Sequence, residues 1–178
     1  MTRFVALLRG VNVGGISIKS ADLAELFRTL GFENVRTVLA SGNVVFDVAV
    51  TATATDDAAL KLRIETALSE RFGYDAWIVL EPLSRVESVI ERFPFDAGKE
   101  GWHPYVLFSS DAASLAELMA AAPTLDPADE IVVEGDGVLY WHCRRAVGVD
   151  SAFSKLTAKA RFRSSTTNRN LRTLMKLA

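Results

Sequence analysis

The sequence predicts an α+β fold: two ferredoxin-like halves of the β-α-β-β-α-β type, with antiparallel sheets and C-terminal helices. Three observations carry this. Short apolar runs of strand length alternate with longer runs of helical spacing in the order β-α-β-β-α-β, and the order β-α-β-β then recurs. Two compact glycine-bearing turns, Ser41-Gly42-Asn43 and Gly135-Asp136-Gly137, each join neighbouring apolar runs. Finally, 178 residues at 49% hydrophobic and 24% charged describe an ordinary globular chain, long enough to bury roughly 70% of its unfolded surface without metals or disulfides.

The elements follow in order. Residues 3–8 form a nearly all-apolar run, read as a buried central strand. Gly10, Gly14 and Gly15 break it into a loop. Ser20 or Asp22 caps a helix with Leu23, Leu26, Phe27 and Leu30 on one face, and Gly31 stops it. Residues 34–40 and 44–47 are strands around the first tight turn, and the Thr/Ala alternation at 51–55 reads as a solvated loop. Asp56 or Asp57 opens a long helix carrying Leu60, Ile64, Ala67, Leu68 and Phe72, closed by Gly73. Residues 76–80 are another strand.

The second half begins with a short helix, in which Ser84 and Glu87 form a capping box and Pro94 ends it. A strand at 105–108, a helix at 111–122 and a hairpin of 130–134 with 138–142 follow. Two helices, near 154–162 and 168–177, complete the chain. Residues 1–82 make the first half and 83–178 the second, basic helices included. The halves lack residue-by-residue similarity, and one larger mixed sheet is the alternative arrangement.

Composition excludes several classes. Cys143 is the only cysteine, so no internal disulfide forms and a reducing, cytoplasmic compartment is expected. No apolar run approaches the roughly 20 residues of a membrane span, and Arg9 cuts the N-terminal apolar segment too short for a signal sequence. The charge is uneven. Residues 144–178 hold nine basic side chains and one acid, a formal +8, against −10 over the other 143 residues. Such a segment can serve a polyanion or dock on the acidic body. Phe153, Leu156, Leu171, Leu174 and Met175 give it an apolar face of its own.

Familiar chemical motifs fail here. A phosphate-binding P-loop needs Gly-Lys-Ser/Thr together, whereas Lys19-Ser20 lies four residues beyond Gly15. The three glycines do not fit G-x-G-x-x-G either. His103, His142 and Cys143 are a poor supply for zinc, and His142 and Cys143 point to opposite faces of one strand. No cofactor and no metal is predicted. Cys143 reads as a packed thiol rather than a nucleophile served by His103. The strands matching an RNA-recognition sheet lack its stacking aromatics, although Trp102, Tyr105 and Phe108 lie in the second half.

The topology itself is informative. In a β-α-β-β-α-β unit the first and third strands are antiparallel neighbours, so the end of one meets the start of the other. Arg9, Asn12, Gly14 and Gly15 thereby come to the same rim as Ser41, Gly42 and Asn43. This rim reads either as a binding site, with glycines letting a ligand approach the backbone, or as turn chemistry alone.

At these residues the chain resembles a widespread bacterial family, catalogued as domain of unknown function 1697. The resemblance rests on Ala6-Leu7-Leu8-Arg9-Gly10-Val11-Asn12-Val13-Gly14-Gly15, on Leu30-Gly31-Phe32 with Val35-Arg36-Thr37, and on Ser41-Gly42-Asn43-Val44-Val45-Phe46. Near the other end, Thr167-Asn168-Arg169-Asn170-Leu171-Arg172-Thr173 resembles the family's Thr-x-Arg-Asn-x-x-Thr signature, with Lys155 matching a preceding lysine. Leu171 stands where the family tends to carry tryptophan. The resemblance implies ferredoxin-like halves and no established activity.

The favoured functional reading is a cytoplasmic protein that binds a small anionic or nucleotide-like ligand at the polar rim. Arg9, Lys155 and Arg169 would supply charge, and Asn12, Asn43 and Asn170 hydrogen bonds. A clamp joining Arg169-Asn170 to the rim is expected on this reading. Against it stand a weak, salt-sensitive nucleic-acid binder using the basic segment and an enzyme of unassigned reaction. No membrane partner is expected, and the sequence is silent on oligomeric state.

Overall fold

The computed structural model describes residues 1–11, 16–40, 42–49 and 56–178. The chain divides into two compact units, Met1–Val86 with Lys176–Ala178, and Glu87–Met175.

The first unit runs β1 (Thr2–Arg9), α1 (Ser20–Thr29), β2 (Glu33–Val38), β3 (Asn43–Val48), α2 (Asp57–Phe72), β4 (Trp77–Pro82) and α3 (Leu83–Glu91), the last continuing into the second unit. Its strands pair antiparallel in the order β2-β3-β1-β4, which is the ferredoxin-like order. β1 lies centrally and is buried from Phe4 to Leu8. One sheet face, carrying Phe4, Ala6, Leu8, Val44 and Phe46, packs on Leu23, Phe27, Ile64 and Leu68 of α1 and α2. Phe27, Phe32 and Phe46 form an aromatic knot, with Phe32 and Phe46 centroids 4.6 Å apart. Asp56 caps α2, accepting from the Ala58 amide at 3.0 Å, and left-handed Gly73 ends it. α1 departs from expectation. Its N-cap is Lys19, without a side-chain cap, so Ser20 and Asp22 lie within the first turn.

The second unit runs β5 (Trp102–Ser109), α4 (Ala112–Ala120), β6 (Glu130–Glu134), β7 (Val138–Arg144), α5 (Ala152–Thr157), β8 (Thr166–Asn170) and α6 (Leu171–Leu174). Its sheet order, β6-β7-β5-β8, repeats that of the first. Leu107, Val132, Leu139, Trp141 and Cys143 pack on Leu118, Phe153 and Phe162. Buried Glu130 ties this core together: one carboxylate oxygen accepts from the Trp141 indole at 3.1 Å and the other from the Phe153 amide at 3.0 Å. Both acceptors are used, which a buried carboxylate requires.

Two expectations are corrected in this half. α3 starts at Leu83, so Ser84 falls inside the helix instead of capping it. More substantially, residues 166–170 are a strand. The helix read over 168–177 shrinks to α6, and the one read over 154–162 becomes α5 plus a single 3-10 turn, Ala160–Phe162. β8 completes the second β-α-β-β-α-β unit by pairing with β5, Tyr105 opposite Asn170 and Phe108 opposite Thr167. The loop read at 51–55 lies outside the described residues.

Candidate functional site

The rim of the first sheet is built by three strand ends. β1 leaves the sheet at Arg9 and Gly10, β3 enters at Asn43, and β4 enters at Trp77. Register places Leu7 opposite Asn43 and Arg9 opposite Trp77. Side chains directly opposite on antiparallel strands lie on one face, so Arg9 and Trp77 share a face of the sheet at this rim. Arg9 is half-buried, and Trp77 is 36% exposed.

Gly42 fixes how this rim closes. Its carbonyl accepts from the Leu8 amide at 2.8 Å, bringing the hairpin against β1. Its φ is +71°, and an added Cβ would sit 2.9 Å from Leu8 Cβ and 3.3 Å from Val11 Cβ. Only glycine satisfies both conditions. Leu39, three residues before, also takes a left-handed conformation (φ 58°) while 49% exposed. Asn43 is fully buried and donates its side-chain amide to the Val38 carbonyl at 2.9 Å, closing the same hairpin. That hydrogen bond gives Asn43 a turn-closing role. Asn12, Gly14, Gly15 and Ser41 lie outside the described residues.

Lys155, Arg169 and Asn170 belong to the second unit. Lys155 is exposed on α5. Arg169 on β8 is 8% exposed and donates to Thr167 Oγ1 at 2.6 Å and to the Asn168 carbonyl at 2.9 Å. Asn170 is the N-cap of α6, accepting from the Arg172 amide at 3.0 Å. Within this unit Arg169 and Asn170 point to opposite faces of β8, as adjacent strand residues must. Two arginines of the basic segment are neutralised by acids, Arg144 by Asp129 at 3.0 Å and Arg161 by Glu117.

Other chemistry is closed by burial. Cys143 is 1% exposed, and burial pushes its thiol pKa up, so it stays protonated and poorly nucleophilic. His103 is paired opposite it, yet the imidazole packs on Tyr105 instead, with centroids 5.7 Å apart. Among the described residues no group of three or more His, Cys, Asp or Glu side chains converges as a metal site. Phe108 is core, and Tyr105 stacks on Trp141 at 4.8 Å, so two of the three aromatics weighed for base stacking are used in packing. No described helix is long and apolar enough to cross a membrane.

A family model described as "Protein of unknown function (DUF1697)" matches residues 1–140, most of the chain. The chain belongs to this family. A solved structure of the conserved bacterial protein SP0830 from Streptococcus pneumoniae aligns with a TM-score of 0.78 at 25% identity, covering 99% of this chain and 96% of that one. An unknown protein from Galdieria sulphuraria aligns over 95% of this chain and 98% of its own at 13% identity, with a TM-score of 0.26, too low to bear on the fold. No curated protein matches. The α+β architecture agrees with the likeness to the pneumococcal structure, and the family description names no reaction.

Trp77 is the rim residue that sequence reasoning missed. The signal was available only in combination: a tryptophan opening the fourth strand, and an arginine closing the first, become cross-strand partners once β1 and β4 are paired.

Proposed function

We propose that this chain binds a small anionic, nucleotide-like ligand at the rim of its first sheet. The observation that carries the reading is the Arg9–Trp77 cross-strand pair. A guanidinium offers a planar fork of donors to phosphate or carboxylate, and a part-exposed indole on the same sheet face offers a flat surface to a ring. Left-handed Leu39 supports it, because unrelieved backbone strain in an exposed turn is characteristic of sites that hold a ligand. Cytoplasmic residence belongs to the same reading, supported by the single buried thiol of Cys143.

Native mass spectrometry of freshly purified protein tests this. The wild-type chain is expected to carry a retained mass of a few hundred daltons, the size of a nucleotide, lost on denaturation. Arg9→Ala should run at the bare chain mass while remaining folded. A wild-type chain that never retains such a mass, and binds no mononucleotide on addition, would contradict the reading.

A further inference from the structure

The end of the second sheet where β5 begins and β7 and β8 finish gathers basic side chains, while two acids of the same end are engaged elsewhere, Asp129 by Arg144 and Glu130 by the Trp141 indole and the Phe153 amide. His103 lies on β5. On one flank, beyond β7, the Arg145 amide donates to the Gly101 carbonyl at 2.8 Å, holding Arg145 beside the start of β5. On the other flank β8 pairs Asn170 with Tyr105, and the chain then turns into α6 at Arg172. Because β8 ends at Asn170 opposite Tyr105, Arg172 in the first turn of α6 lies near the start of β5 that carries His103.

The electrostatics agree with that placement. Burial first, then Arg145 and then Arg172, hold the His103 pKa below its ordinary value, so both neighbouring charges acting on it are positive. Tyr105 and Cys143 are its other titratable neighbours on β5 and β7. Both arginines are exposed, and among the described residues neither side chain makes an ion pair or hydrogen bond. Arg92, Arg144 and Arg161 of the same unit are each paired with an acid. Clustered like charges of this kind repel until an anion joins them.

We propose that His103, Arg145 and Arg172 form a second binding site, one that takes the phosphate group of a small phosphorylated ligand, with Tyr105 as its wall. Two guanidinium forks match phosphate geometry, and the imidazole N–H adds a third donor. The small size follows from charge. Glu87 to Met175 holds ten basic and twelve acidic side chains, so an extended polyanion leaving this end of the sheet meets a unit of formal charge −2.

The test is an NMR titration of the His103 imidazole with inorganic phosphate at constant ionic strength. The chain has two histidines, so His103→Gln assigns the signals. Bound phosphate should raise the His103 pKa by roughly half a pH unit or more, because an anion offsets the two arginines. The double variant Arg145→Ala/Arg172→Ala should titrate higher than wild type without phosphate and no longer respond to it. Arg163→Ala, an exposed arginine outside the cluster, should respond as wild type. No phosphate response in the wild-type protein, or an equal response in the double variant, overturns the proposal. A single-stranded oligonucleotide that moves His103 at lower phosphate-equivalent concentration than inorganic phosphate does would overturn the small-ligand assignment in favour of nucleic acid.

Discussion

The two halves turn the same hairpin in different ways. Between β6 and β7 the chain reverses through Gly135-Asp136-Gly137, where Gly137 takes the positive φ (65°) and the Gly135 amide donates to the Val138 carbonyl at 2.9 Å. Between β2 and β3, Gly42 takes a positive φ, but so does Leu39, for which a left-handed backbone costs roughly 1–2 kcal/mol. Both hairpins join corresponding strands of the same fold, so the topology does not demand a strained leucine. The strain is specific to the first hairpin, at the rim that also holds Arg9 and Trp77. On the function proposed above, that strain belongs to the ligand-binding rim.

Breaking the first hairpin should give the largest effect. Gly42→Ala combines a left-handed backbone with a Cβ set 2.9 Å from Leu8 Cβ, for an expected loss of about 3 kcal/mol. Gly10→Ala has a similar φ (+76°) but open space around its Cβ, and should cost only about 1 kcal/mol. Urea denaturation of both variants measures the difference. Equal losses would mean that the contact with β1 does not govern the hairpin.

A smaller change of opposite sign is expected at Leu39. Leu39→Gly relieves the left-handed strain at the price of a more flexible unfolded chain, for an expected net gain of about 0.5 kcal/mol. A thermal melt should therefore shift upward by roughly 1–2 °C for a chain of this size. A clear destabilisation would show that the exposed leucine side chain contributes packing, and would remove the strain argument from the rim.

How much of this could be read from residues alone differs between the halves. The first unit was legible because its strands are buried and apolar: 3–8 and 76–80 read directly, and Asp56 and Gly73 mark the ends of α2. β8 was not. Its sequence, Thr166-Thr167-Asn168-Arg169-Asn170, has no apolar alternation, since it is an edge strand made by pairing with β5. Its helical reading came from Leu171 and Leu174, which do form a helix, but a single short turn of one. The rim was legible as a location, because strand adjacency places Arg9 near the hairpin whatever the loop details. The roles within it were not. Asn43 reads as a ligand donor until burial and the Val38 carbonyl give it a turn to close, and Trp77 has no meaning until register sets it opposite Arg9.

The central claim, that the first rim binds a ligand and the equivalent turn of the second half does not, is tested most directly by amide chemical shifts. A ¹H–¹⁵N correlation spectrum would be recorded while a mononucleotide is added to the full chain. Saturable shifts are expected at Gly10, Leu39 and Gly42, absent in Arg9→Ala, with Gly135 and Gly137 unmoved. Equal movement of both hairpins, or none at the first, would contradict it.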